Sequence, residues 1–403
     1  MIAFVNDLGE AFVVGNGARG ALNRVTEYSY APVRVEFRSG KTPRFTKVAV
    51  GTSHTMLLTE HAEVVTFGSN SDGQMGRLVR QAQEDVEMAK LYNRKNIDFA
   101  TRPAIVREGL RDKAVVQIAC APNSCFAVTE DGELYAWGSA ADGILGLTAS
   151  DAGSVAPTSS VDRPQLVEAL LGRRVVQVAA GARHIVILDS RGQVYTCGFG
   201  GYFRLGLKDA RDRPVPTHVA SLEHIRIVRV AAGHEHTMAM SEEGAVFWWG
   251  RYGLRTAGQQ TPDCVNGLDT DIEQLAGGRG VSYARTASGK VFVWGQPNVK
   301  EMLGMDVAGR DLNPPQVLTD FNSHKVTHVA ACDSQVVVVV DAKTSTSEVC
   351  SACGETGNLM LCDTCPLSFH PHCLAEPCDK SDIPEVCLAG RKEGMKEGMK
   401  EGK

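Results

Sequence analysis

The sequence predicts an all-β protein: a β-propeller of six or seven blades over residues 1–341, followed by a small zinc-binding finger. Three observations carry this. A glycine-marked repeat recurs along the first 341 residues, the segments inside each copy read as short strands, and seven of the twelve cysteines crowd between Cys350 and Cys387.

The repeat comes first, because self-similarity at a regular period decides an architecture before any local reading. Residues 175–198 run Val-Val-Gln-Val-Ala-Ala-Gly-Ala-Arg-His-Ile-Val-Ile-Leu-Asp-Ser-Arg-Gly-Gln-Val-Tyr-Thr-Cys-Gly. The same register returns elsewhere. A small residue closes an apolar run at Gly51, Ala121, Gly181, Gly233, Gly278 and Cys332, and in five complete copies a second glycine follows 17 residues later, at Gly68, Gly138, Gly198, Gly250 and Gly295. A turn glycine stands six residues before the second landmark at Gly132, Gly192, Gly244 and Gly289, where the first copy has Ala62. Eight residues beyond it comes Gly76, Gly146, Gly206 or Gly258; in the last complete copy the step is nine, to Gly304.

Within each copy, runs such as Glu133-Leu134-Tyr135-Ala136-Trp137 are rich in β-branched or aromatic residues and bounded by Asp-Gly or Arg-Gly, the pattern of strands joined by tight hairpins. Several short strands per copy and a copy every 45–70 residues fit one blade per copy. The stretches 77–114 and 147–174 are then connections, the first holding an exposed helix over Gln81–Tyr92. Met1–Gly15 aligns on the second part of a copy and Val326–Asp341 on the first part. A composite blade built from both ends is therefore expected, giving six blades. The second strand occurs twice, as Ile2–Val5 and Val336–Val340, which keeps seven open.

The propeller region carries no expected chemistry. It holds no phosphate-cradling glycine loop, nucleophile elbow or paired catalytic carboxylates, so the chain reads as a non-enzyme. His54, His184 and His236 share one offset, but other copies place Ser124, Val281 and Gln335 there, so the position reads as packing or turn bonding. Trp137, Trp248, Trp249 and Trp294 sit at or beside the blade landmark and are expected to fill core. Cys120, Cys125, Cys197 and Cys264 form no spaced pair with ligand partners and read as plain thiols. The apolar run Val336–Val340 is far below the roughly 20 residues of a membrane helix, and Met1–Gly15 lacks the basic start of a signal peptide. Residues 1–347 are nearly neutral at −1, which argues against a strong nucleic-acid surface.

The repeat Val-Ala-x-Gly-x-x-His, then Asp-x-x-Gly-x-Val/Leu, then Trp-Gly and Gly-x-Leu-Gly, clearest at 115–146, 175–206 and 227–258, resembles the regulator of chromosome condensation repeat. Members of that family usually form seven blades. The best-known member exchanges guanine nucleotide on the Ran GTPase, and the resemblance implies that a short hairpin inserted within one blade helps release the nucleotide. The constant gap from Trp-Gly to Leu-Gly predicts no such insertion here.

After a linker, 342–349, the cysteines begin: Cys350-x2-Cys353, Cys362-x2-Cys365, His370-x2-Cys373 and, farther on, Cys387. Two residues between ligands let one turn offer both to a tetrahedral Zn²⁺. About 40 residues cannot bury enough apolar surface to fold alone, and a structural zinc supplies the missing energy. The order over 350–390 resembles a plant homeodomain (PHD) finger. By that resemblance Cys350, Cys353, His370 and Cys373 hold one zinc, and Cys362, Cys365 and Cys387 hold a second that is one ligand short, since Gly390 stands where the eighth should be. PHD fingers commonly bind histone tails by strand addition. The resemblance then places a basic peptide on Glu355, Asn358, Leu359, Met360, Leu361 and Asp363, which suits the −6 charge of residues 348–390. The tail 391–403 is a four-residue low-complexity repeat.

The expected function is recognition of protein, chromatin or a histone tail in the nucleus, otherwise in the cytoplasm, with the propeller as scaffold and Zn²⁺ as cofactor. A small-GTPase regulator acting through the propeller is the alternative, and ubiquitin-ligase work by the finger the third.

Overall fold

A computed structural model describes residues 2–16, 28–37, 40–79, 99–148, 160–252, 258–296, 301–302, 305–306, 312–318, 325–332, 335–341, 358–361 and 368–369. The helix expected over 81–92 lies outside them. The chain opens with a three-stranded sheet, β1 (Ile2–Val5), β2 (Ala11–Asn16) and β3 (Tyr28–Arg34). Among the described residues six four-stranded sheets follow. Blade 1 is β4 (Phe45–Val50), β5 (His54–Thr59), β6 (Val64–Ser69) and β7 (Phe99–Ile105). Blade 2 is β8 (Val115–Cys120), β9 (Ser124–Thr129), β10 (Leu134–Ser139) and β11 (Ser160–Leu166). Blade 3 is β12 (Val175–Ala180), β13 (His184–Asp189), β14 (Val194–Gly198) and β15 (Arg213–His218). Blade 4 is β16 (Ile227–Ala232), β17 (His236–Ser241), β18 (Val246–Gly250) and β19 (Gln259–Cys264). In blade 5, β20 (Ile272–Gly277), β21 (Val281–Thr286) and β22 (Val291–Gly295) precede a two-stranded hairpin, β23 (Glu301–Met302) and β24 (Met305–Asp306), before the outer strand β25 (Gln316–Val317). Blade 6 is β26 (Lys325–Cys332), β27 (Gln335–Asp341), β28 (Asn358–Leu361) and β29 (Ser368–Phe369).

Neighbouring strands run antiparallel, and the 17-residue step is the distance from the turn after an inner strand to the end of the third strand. The second strands β5, β9, β13 and β17 are buried along their whole length. A neighbouring blade covers each face, so these strands are apolar without alternation. The cores accordingly lie between blades. Phe126 and Leu134 of blade 2 pack with Ile185 and Tyr195 of blade 3, and Val186 of blade 3 packs with Val230 and Trp249 of blade 4.

The inner strands are fastened to one another by side chains. Gln117 donates from Nε2 to Val178 O at 2.9 Å and accepts from Val178 N at 2.8 Å. Gln177 does the same to Val230, and Gln274 to Val329. One amide thus satisfies both backbone groups of a facing residue where no strand pairs.

Two expectations need correction. The chain ends do not share a composite blade: Ile2–Val5 pairs within β1–β3, and Val336–Val340 within blade 6. Each end carries its own second strand, so each seeds its own sheet. Blade 5 also does hold an inserted hairpin, because Glu301 faces Asp306 and Met302 faces Met305. The spacing rule missed it because Leu303-Gly304 falls inside that hairpin. Among the described residues no helix is long and apolar enough to cross a membrane.

Candidate functional site

The three repeated histidines open β5, β13 and β17, fully buried, and each reaches into the next blade. His184 Nε2 lies 2.8 Å from Thr237 Oγ1, and His236 Nε2 lies 2.8 Å from Ser282 Oγ. His54 Nε2 lies 3.1 Å from Cys125 Sγ. The Thr237 hydroxyl donates onward to Arg204 O at 2.8 Å, so it accepts from His184, which must carry its proton on Nε2. The Cys125 thiol donates in the same way to Gln74 O at 3.4 Å. Burial pulls the His184 imidazole well below its ordinary range, helped by the Arg204 charge, and pulls His236 down to about 3. His184 and His236 are therefore neutral latches between blades.

Above the latches of blades 3 and 4 the loops build something unlike the other copies. Before the last landmark glycine, blade 1 has Asp72-Gly73 and blade 2 has Asp142-Gly143, whereas blade 3 has Tyr202-Phe203. Gly73 and Gly143 sit at φ 78° and 75°. A Cβ on Gly143 would lie 2.4 Å from Pro214 Cα, so only glycine fits there. Tyr202 and Phe203 take the same left-handed region at φ 59° and 61°. Room for them comes from Gly258, where a Cβ would stand 2.2 Å from Tyr202 O. Two consecutive left-handed aromatics cost on the order of 1–3 kcal/mol each and persist only where the surroundings impose them.

What the strained loop presents is a ladder of alternating guanidinium groups and rings. Arg183 lies 3.7 Å above the Phe199 ring, Arg204 lies 4.9 Å from Phe199 and 5.6 Å from Tyr202, and Arg251 lies 3.3 Å above Tyr202. Its ends are pinned. Arg183 forms two bonds of 2.7 Å with Asp142, and Arg251 meets Glu235 at 2.6 Å. The middle guanidinium is buried and donates to Gly201 O and His234 O. Burial pulls Arg204 down to about 10, with Glu235 opposing. Tyr202 remains 38% exposed at the centre of this surface. Stacked, preorganised Tyr and Arg on a rigid rim are the residue types that dominate protein interfaces.

A sequence model of the RCC1-like domain matches residues 2–381. The chain belongs to the RCC1-like domain family. Among curated relatives, the Ultraviolet-B receptor UVR8 of Arabidopsis thaliana is 33% identical over 256 residues, covering 62% of this chain and 52% of the receptor. The chain thus spans about half the length of that relative. Human WBSCR16 shares the fold with a TM-score of 0.68 at 24% identity over 83% of both chains. Prp20p from Saccharomyces cerevisiae, whose crystal structure is described with its binding properties to Gsp1p and histones, overlays with a TM-score of 0.50 at 18% identity, over 98% of this chain and 96% of that one.

Within this RCC1-like chain the sequence-predicted residues divide. The metal ligands Cys350, Cys353, Cys362, Cys365, His370, Cys373 and Cys387 lie outside the described residues, as do Glu355 and Asp363. Asn358, Leu359, Met360 and Leu361 form β28, whose Leu359 faces Val340 of β27 and whose Met360 also faces Phe369 of β29. β28 is therefore flanked on both sides, across the expected linker, and the matched family segment likewise runs past residue 341. Trp137, Trp249 and Trp294 fill the core as expected. The reading of Cys120 and Cys125 as unpartnered thiols needs correction. They face each other across β8 and β9, and Cys125 touches His54. Burial pushes the Cys120 thiol up, but Cys125 and His54 outweigh it and hold it at about 6, while burial and Cys120 push Cys125 well up. The sequence signal of the ladder is Tyr202-Phe203 standing where blades 1 and 2 have Asp-Gly.

Proposed function

We propose that this propeller is a protein-docking scaffold whose ladder face, carrying Tyr202 and Arg251, receives a small GTPase. The observation that carries the reading is the pair of left-handed aromatics, Tyr202 and Phe203, at that face. The inserted hairpin β23–β24 supports it. It lies between the third and fourth strands of its blade, the connection that carries Tyr202 and Phe203 two blades earlier. Prp20p is a protein of this fold with reported Gsp1p binding, which supports the partner class. The role is recognition or regulation. The test is nucleotide release from a Gsp1p-type GTPase with the full chain and with Tyr202→Ala. Acceleration by the former and loss by the latter support the reading; equal rates with either protein and with none overturn it.

A second reading rests on the cysteine spacing. Residues 350–390 hold zinc and bind a basic histone-tail peptide in the nucleus, an idea that Prp20p's reported histone binding also suits. Since both edges of β28 are paired, an added peptide strand would use the outer edge of β29. Titration of the zinc-loaded chain with an unmodified histone-tail peptide tests this, and an absence of binding overturns it.

A further inference from the structure

The latch between blades 1 and 2 differs in composition from the other two. Where His184 faces Thr237, the inner strand of that next blade ends in Ala232; where His236 faces Ser282, it ends in Gly277. Where His54 faces Cys125, the inner strand ends in Cys120. Both variable positions become cysteine at once, and only at this interface among the three.

The geometry brings the two thiols together. Ala121 N donates to Ser124 O at 2.9 Å, closing a hairpin around Pro122-Asn123. Cys120 and Cys125 are the next pair along that ladder. The pair beside a hydrogen-bonded closing pair is the one whose side chains approach nearest. An imidazole nitrogen of His54 and the Sγ atoms of Cys120 and Cys125 all lie within 4.8 Å of one another, with His54 Nε2 3.1 Å from Cys125 Sγ. Tetrahedral zinc with Zn–S near 2.3 Å and Zn–N near 2.0 Å separates its ligand atoms by about 3.5–3.8 Å. Small rotations of three side chains therefore suffice to seat an ion.

We propose that His54, Cys120 and Cys125 form a zinc site that clamps blade 1 to blade 2. Zn²⁺ displaces the thiol protons of Cys120 and Cys125 to solvent, and His54 binds through Nε2 with its proton moved to Nδ1. Two thiolates and one Zn²⁺ are neutral together, which suits a position where His54 and Cys125 are fully buried. The fourth place falls to an oxygen, and Gln74 O already stands 3.4 Å from Cys125 Sγ. Cys120 is partly exposed and gives the ion its way in. Soft thiolates with one imidazole select zinc over hard cations such as magnesium.

The test uses the full chain, reduced with a phosphine and stripped by a chelator, then loaded with Zn²⁺. Alkylation of each cysteine is followed by peptide mapping, so thiols beyond residue 349 are read separately. Zn²⁺ should slow labelling of Cys120 about tenfold or more and leave the exposed Cys264 unchanged. The double variant Cys120→Ala, Cys125→Ser should bind one equivalent of Zn²⁺ fewer than the natural chain. Ala180, Ala232 and Ser282 occupy the same places in other blades, so it keeps a native pattern. Equal Cys120 labelling with and without Zn²⁺, or equal stoichiometry in the two chains, overturns the proposal.

Discussion

His184 Nε2 and Thr237 Oγ1, 2.8 Å apart and both fully buried, join two blades through a hydrogen bond that continues to Arg204 O. Partner choice follows the histidine. His54, His184 and His236 face Cys125, Thr237 and Ser282, whereas the copies with Ser124 and Val281 are followed by Ile185 and Val336. Thr237→Val leaves the His184 proton without an acceptor and should destabilise the chain by about 1–3 kcal/mol. The double variant His184→Val, Thr237→Val copies the Val281 and Val336 pairing of another interface and should recover part of that loss. Denaturant midpoints of the two variants check this, and additivity of the two single effects would count against a coupled latch.

The same burial makes stability depend on acid. His236 has a folded value of about 3 against an ordinary 6.5, and His184 is lowered too, both chiefly by burial. Between those values the unfolded chain binds more protons than the folded one. Stability from these groups is therefore whole above about pH 6.5 and falls as pH drops toward 3, by up to about 1.4 kcal/mol per pH unit for each histidine. Urea midpoints from pH 7 to pH 4 should decline. His236→Val paired with Ser282→Val should decline less steeply, and equal slopes would contradict the assignment.

Gln177 spans blades 3 and 4 by bonding both Val230 N and Val230 O. Gln177→Ala strips both partners from a largely buried backbone unit and should cost about 1–3 kcal/mol. Hydrogen exchange at the Val230 amide should quicken by tenfold or more, while amides in blade 2 stay unchanged.

Phe203 holds a left-handed conformation that Gly73 and Gly143 supply in blades 1 and 2. Phe203→Gly should raise the unfolding midpoint, since relief of about 1–3 kcal/mol of backbone strain exceeds the roughly 0.5–1 kcal/mol entropy cost of glycine. The same change should weaken partner binding, because it frees the loop that carries Tyr202. A variant that is less stable and binds as before would show that the strain is not tied to the ladder.

Much of the fold was legible because its physics is periodic. The 17-residue step, the turn glycines and the apolar second strands each report one repeated unit, and these strands formed where the spacing put them. The chain ends depart from the composite blade because alignment on a repeat says which strand a segment makes, not which sheet it joins. Val336–Val340 paired with β28 rather than with Ile2–Val5. The site was less legible. Arg183, Phe199, Tyr202, Arg204 and Arg251 come from three loops of blades 3 and 4, and no local spacing relates them. His54 and Cys125 are likewise 71 positions apart, so only packing of adjacent blades reveals their contact.

Affinity of the chain for a Gsp1p-type GTPase, with Arg251→Ala beside the natural sequence, decides the docking role most directly. Removing one end of the ladder from Tyr202 should weaken binding by about 2 kcal/mol, near thirtyfold, while the unfolding midpoint moves little. Unchanged affinity in Arg251→Ala, or no binding by the natural chain, would contradict a GTPase-docking face at Tyr202.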